Sequence, residues 1–294
     1  MPGAGAVRAI RDRIRSVQST AKVTKAMQLV AASKMRRAQD RAIASRPYAD
    51  RMRAVLAALS GYASGVSDDE LHPLLRQRPV KNFAFIHITA DRGLAGGLNA
   101  NMNRAGAGLA LEHQPHVERV SVVTVGRKGR DFFRRAGFPS LAEFTEMGDY
   151  PGMAQIQPIA RIVMDDYMAG TIDQVYIGYQ RFVSTAVQRP TLRQLLPVTA
   201  PEGAEAPQVD FLFEPSPVQL LEALLPRYIE MQIYEAILDA AASEQSARMV
   251  AMQAATDAAN DMVGALTLIY NKARQELITN ELLDIVGGTA ALEA

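Results

Sequence analysis

The chain has 294 residues, with 32 Lys/Arg against 31 Asp/Glu and no cysteine. That length holds one large domain or two modest ones with room for a core. The missing cysteines exclude disulfides, thiolate metal sites and cysteine nucleophiles, and no run reaches the ~18–20 apolar residues of a membrane span. The near-neutral total hides a separation. Residues 1–60 hold 13 basic groups against 3 acidic ones, a net of +10, whereas residues 214–294 hold 4 against 12, a net of −8.

Met1–Val7 leads directly into Arg8, Arg11, Arg13 and Arg15. With no apolar stretch in between, no secretory signal is expected, and membrane contact is expected only through a partner. From Ile10 the apolar and small residues step by three and four: Ile14, Val17, Ala21, Thr24, Ala31, Met35, Ala38 and Ala42, then Ala49, Met52, Leu56 and Leu59. This is the spacing of a coiled-coil seam, and its many alanines allow close approach of a partner helix. Ser45-Arg46-Pro47 is expected to kink this helix, and Gly61 with Gly65–Glu70 to close it.

The middle of the chain has a different period. Asn82–Thr89, Arg119–Val125 and Gln174–Tyr179 have the composition of buried strands, and between them helices are expected at Asn99–Glu112, Lys128–Ala136 and Gln155–Ala169. Alternating strand and helix predicts a small α/β domain with a largely parallel sheet. Ala200–Gln208, rich in Pro, Ala and Glu, is expected as an exposed loop. Pro215-Ser216-Pro217 then starts a second long helix, with Ser216 as cap. Its seam is expected through Leu221, Tyr228, Leu238, Ala241, Met252, Ala255, Ala259, Met262, Leu266, Ile269, Ala273 and Leu277, ending at Gly287-Gly288. Pro226 is the expected break point. The two arms have opposite charge and matched seams, so pairing with each other explains the basic arm better than nucleic acid does. The predicted fold is an α/β domain plus a long antiparallel two-helix coiled coil formed by the N- and C-terminal helices.

Candidate sites are few. Asp91–Asn99 (DRGLAGGLN) is a glycine-rich turn between strand and helix, where phosphates can bind. Its spacing fits neither the dinucleotide fingerprint nor the P-loop, so a tight turn needing positive φ, or a backbone contact surface, is the better reading. Gly126–Arg130 is a second basic turn, read as a solvated helix end. His72, His87, His113 and His116 show no metal spacing and are expected to be satisfied or solvated. No catalytic, cofactor or metal residues are assigned.

Four segments carry a family resemblance: Thr24–Arg37 (TKAMQLVAASKMRR), Ile88–Asn101 (ITADRGLAGGLNAN), Ser243–Thr256 (SEQSARMVAMQAAT) and Tyr270–Gly288 (YNKARQELITNELLDIVGG). In order and register they resemble the gamma subunit of the bacterial F-type rotary ATP synthase. That resemblance implies a central stalk made of a coiled coil of residues 1–60 and 214–294 and a Rossmann-like foot of residues 61–213. It implies a non-catalytic subunit, without cofactor, that transmits rotation of the membrane c ring to catalytic beta subunits for proton-driven ATP synthesis. The implied partners are the hexameric ring of alpha and beta subunits, the epsilon subunit and the c ring, at the cytoplasmic face of the bacterial cell membrane. On the alpha/beta side the matching positions are Met27, Arg248, Arg274, Gln275, Thr279 and Glu281; on the epsilon/c-ring side they are Phe211, Phe213 and Glu214. Ala95 stands where many relatives have cysteine, and Pro226 where they continue with a charged residue. The alternatives are a non-catalytic coiled-coil adaptor and a nucleotide-dependent α/β enzyme using the Asp91–Asn99 loop.

Overall fold

The computed structural model describes residues 4–63, 71–149, 151–199 and 216–293. Two compact units are present, one made of Met1–Ala31 with Met249–Ala294 and the other of Ala32–Arg248. Two helices run through both: α1 (Ala4–Ala63) and α5 (Pro217–Glu293).

The first unit is an antiparallel helix pair. Its direction follows from the cross-seam bonds: Arg11 Nη2 donates to Tyr270 Oη at 3.2 Å, and the hydroxyls of Thr24 and Thr256 meet at 2.7 Å. Small side chains fill the seam, with Val7, Ala21 and Ala31 of α1 buried beside Met252, Thr256, Ala259 and Ala273 of α5. On α5 the seam differs from the expected one in two places. Met262 and Ile269 are about half exposed. Val263 and Tyr270 are partly buried in their place, continuing the 3.5-residue period from Thr256, Ala259 and Leu266 to Ala273 and Leu277. The sequence offers an apolar residue on both sides of each step there, so the spacing alone does not choose between them.

The second unit is a five-stranded sheet between helical layers. β1 (Asn82–Ile88), β2 (Arg119–Val125), β3 (Ser140–Phe144), β4 (Gln174–Phe182) and β5 (Gln188–Leu196) lie in the order β3-β2-β1-β4-β5. The first four are parallel to their neighbours and β5 pairs antiparallel with β4. The register puts Phe83 beside Val120 and Ile88 beside Val125. Alternation then sorts the side chains. Phe83, Phe85, Val120 and Val122 face α2 (Leu98–His113) and α3 (Arg127–Arg135), where Leu109, Ala110 and Phe133 complete a core. Ala84, Ile86, Ile88, Val123 and Val125 face α4 (Met153–Met168) together with Met52 and Leu56 of α1 and Leu221–Ile237 of α5.

Two expected interruptions, at Pro226 and at Gly287-Gly288, are not interruptions, and the helix expected to kink at Pro47 is likewise continuous. α1 passes through Pro47 and α5 through Pro226. The carbonyls that lose a partner belong to Ile43 and Glu222, both exposed residues, so water can replace the missing N–H. α5 also runs past Gly287-Gly288 to Glu293. Its start is as expected, with Gln219 N donating to Ser216 Oγ at 3.3 Å. β3 and β5 escape a reading by composition because both are edge strands. β3 has only five residues and none of them is fully buried, and β5 carries Pro190 within QRPTLRQLL, which an edge position tolerates.

Candidate partner-binding surfaces

The glycine-rich turn after β1 is knitted to the start of α3 by its own side chains. Asp91 accepts from Arg127 N at 3.0 Å through Oδ1 and from Glu146 N at 2.9 Å through Oδ2. Lys128 N donates to Ala90 O at 3.2 Å, and Gly129 N to Thr89 Oγ1 at 2.8 Å. Asn99 Oδ1 closes the turn by accepting from Ala90 N at 3.0 Å. The N–H groups at the start of α3, which in a phosphate site would point at the ligand, are therefore already donated within the chain. Gly126, at φ 97, must be glycine: a Cβ there would lie 2.0 Å from Thr89 O.

Within the turn Gly96 has φ 57, as a tight turn requires, and Leu94 shares that left-handed region at φ 61 while its side chain is 63% exposed. A leucine held there carries backbone strain of about 1–3 kcal/mol. The cleft beside the turn, about 400 Å³, is lined by Asp91, Arg92, Arg127, Glu146, Asp149 and Glu244. Four carboxylates against two guanidiniums, with Arg127 paired to Glu146, make poor surroundings for a phosphate. Among the described residues no group of His, Asp or Glu is arranged to hold a metal ion.

The histidines are absorbed by the fold. His87 is fully buried, its Nε2 2.8 Å from Asn103 Oδ1 and its ring edge-on to Phe133, and burial lowers its pKa to about 4. His113 ends α2 with its ring stacked 3.9 Å from that of Phe83. His72 caps a 3-10 turn by accepting from Leu74 N at 3.2 Å.

The candidate contact residues sort by exposure. Met27 is half-buried on α1. Arg274, Gln275, Thr279 and Glu281 are all exposed on α5. Among the described residues none of these four pairs with another side chain, although Thr279 Oγ1 donates to the Gln275 carbonyl at 3.0 Å. Large apolar groups accompany them on the same stretch, with Leu268, Leu282, Leu283, Ile285 and Val286 each more than half exposed. On α1, Val23, Leu29 and Val30 are likewise exposed near Met27. Phe211, Phe213 and Glu214 lie outside the described residues.

Arg248 is the exception, because it is buried. Its Nη2 donates to Glu244 Oε1 at 2.7 Å and to Gly93 O at 3.3 Å, and its Nη1 to Gln245 Oε1 at 3.1 Å. Burial pushes the Glu244 carboxyl above the usual carboxylate range, with the Arg248 charge acting against the shift. Sequence reading missed Glu244, although its spacing of four before an arginine is the favourable helical ion-pair order. It also missed the Thr24–Thr256 and Arg11–Tyr270 contacts, which need the register of the pair and are invisible in either helix alone.

Comparison with known proteins gives one answer throughout. The family profile described as ATP synthase matches residues 6–292. The ATP synthase gamma chain of Dehalococcoides mccartyi is 54% identical over 286 residues, covering 97% of this chain and 99% of that one. The gamma chain of Roseiflexus castenholzii is 48% identical over 286 residues, covering 97% and 98%. In fold, the chain resembles a chain of the Euglena gracilis mitochondrial ATP synthase structure (OSCP/F1/c-ring), at 20% identity and TM-score 0.71 over 99% of this chain and 95% of that one.

Proposed function

Because the chain belongs to the family of ATP synthase gamma chains, we propose that its coiled coil is the rotor axle within the alpha/beta ring and that its α/β unit is the foot. The subunit is non-catalytic: it makes and breaks no covalent bond, and transmits rotation to subunits that do. What carries the proposal is the outer face of α5. Apolar side chains there, among them Leu268, Leu282 and Leu283, are exposed beside the polar groups Arg274, Gln275, Thr279 and Glu281, none of which pairs with another side chain among the described residues. An exposed apolar surface of this kind marks a site covered by a partner. The polar groups among it suit a surface that must exchange one neighbour for the next, since an exposed ion pair is worth ~0–1 kcal/mol and is readily remade.

On this reading Met27, Arg248 and Arg274 to Glu281 contact the alpha/beta ring, and Phe211, Phe213 and Glu214 contact epsilon and the c ring. No helix among the described residues is long and apolar enough to cross a membrane. Attachment to the cytoplasmic face of the cell membrane is accordingly assigned to the c ring and epsilon. Ion flow through the ring turns the foot, and the axle carries that turn to the beta subunits. Mixing the purified chain with alpha and beta subunits tests the proposal. Assembly with ATP hydrolysis supports it, and failure to assemble with alpha and beta refutes it.

A further inference from the structure

We infer that Glu244 is a positioning residue for Arg248: its carboxylate holds the guanidinium against the Gly93 carbonyl, fixing both the edge that Arg248 offers to a partner and the Asp91–Asn99 turn. The inference rests on Arg248 as a partner-facing group, as read above. The two side chains lie four residues apart on α5, 11% and 21% exposed for Arg248 and Glu244 respectively, with Nη2 and Oε1 2.7 Å apart. A guanidinium so far removed from water is held by its acceptors rather than by solvent. Of its five N–H donors, three go to Glu244, Gly93 and Gln245. The Nε–H and one Nη1–H remain, and the plane in which they lie is set by the other three.

Glu244 is the carboxylate left for this task. Asp91 is taken by the backbone N–H groups of Arg127 and Glu146, Asp149 by Lys34, and Glu146 by Arg127. The turn in its grip needs an outside hold, since Leu94, next to Gly93, is in the left-handed region and fully half exposed. Arg248 supplies that hold from α5. A partner group that draws Arg248 outward must therefore compete with Glu244, and it loosens the turn when it succeeds.

The test compares assembled complexes carrying Arg248→Ala, Glu244→Ala, Glu244→Gln or the double substitution Glu244→Ala/Arg248→Ala. Two quantities are read: ion pumping per ATP hydrolysed, and hydrogen exchange of the amides in residues 92–95. Arg248→Ala is expected to lower the pumping ratio by about twofold or more, the low end of coupling between contacting residues. Glu244→Ala should lower it in the same direction, and the double substitution should be no worse than Arg248→Ala alone. Glu244→Gln, which keeps an acceptor oxygen in place, should recover part of the loss. Exchange in the turn should quicken by about tenfold in Glu244→Ala, since an opened local contact loses its protection. If Glu244→Ala unfolds the subunit, Glu244→Gln replaces it in the cycle. Additive losses, or normal pumping and exchange in both Glu244 variants beside a defective Arg248→Ala, overturn the inference and leave the reading of Arg248 intact. Normal pumping by Arg248→Ala overturns that reading, and the inference with it.

Discussion

Replacing Thr24 and Thr256 by valine, singly and together, probes the seam of the coiled coil. Their hydroxyls are 2.7 Å apart across the two helices. Each also has a carbonyl of its own helix within reach, Thr24 that of Ala21 at 3.1 Å and Thr256 that of Met252 at 2.8 Å. Each hydroxyl has one proton, so one donates across the seam and the other to its own helix. Thr24→Val leaves Thr256 bonded to Met252 O, and Thr256→Val leaves Thr24 bonded to Ala21 O. Neither single substitution strands a polar group. The loss is then that of one hydrogen bond, about 1 kcal/mol, rather than the larger penalty of an unsatisfied one. The double substitution also removes the bond to a helix carbonyl that each single variant keeps, so it should cost about 2 kcal/mol, one hydrogen bond more than either single variant. Hydrogen exchange of the amides around residues 21–25 and 254–258 reads this directly, because 1 kcal/mol speeds exchange through local opening by about fivefold. Equal losses in the two single variants, each felt in both helices, and about twice that loss in the double variant are expected. A single substitution that quickens exchange in its own helix alone would show that the two hydroxyls do not meet, and unchanged exchange would show that the seam is not where it is described.

The remaining predictions concern the α/β unit and the outer face of the axle. Gly129→Ala would put a Cβ 2.6 Å from the His87 ring and 2.9 Å from Thr89 Oγ1. Such overpacking should lower the stability of the unit by about 1–3 kcal/mol, seen as a lower thermal midpoint without loss of fold. His87 titrates near 4 in the folded chain against 6.5 when unfolded, so the unfolded state binds the extra proton between those values. The sign follows: stability is full above about pH 6.5 and falls as pH drops toward 4, by up to about 3 kcal/mol, and His87→Gln should remove that slope from acid unfolding curves. Arg274→Glu and Glu281→Lys change exposed groups that pair with no side chain among the described residues. They should leave unfolding within about 0.5 kcal/mol of the parent while lowering ion pumping per ATP hydrolysed. A lowered unfolding midpoint with normal pumping would make them structural.

Which features could be read from sequence follows from how local their causes are. The cores of β1, β2 and β4 announce themselves because a central parallel strand is buried on both faces and therefore mostly apolar, as in Phe83–Ile88, where His87 alone is polar. β3 and β5 do not, because an edge strand needs few apolar side chains and can even hold Pro190. Pro226 and Gly287-Gly288 are punctuation by local rules, yet α5 runs through both, and at Pro226 the carbonyl that loses its partner belongs to an exposed residue that water can serve. Met262 and Ile269 against Val263 and Tyr270 is a choice made by the partner helix. The same holds for function. Arg274 to Glu281 are exposed, in keeping with a contact role suggested by the family motif, but the burial of Arg248 and its hold on Gly93 depend on residues 155 positions apart. No local pattern records such a pairing.

The central claim is that this chain turns as an axle while other subunits do the chemistry. The chain has no cysteine, so Glu112→Cys on the exposed face of α2 gives one attachment point for a bead on the foot. With the alpha/beta ring fixed to a surface and ATP added, the account predicts sustained rotation of the bead in one direction, stopping when ATP is exhausted. Steady ATP hydrolysis by the same molecules with a bead that only fluctuates about one position would contradict it.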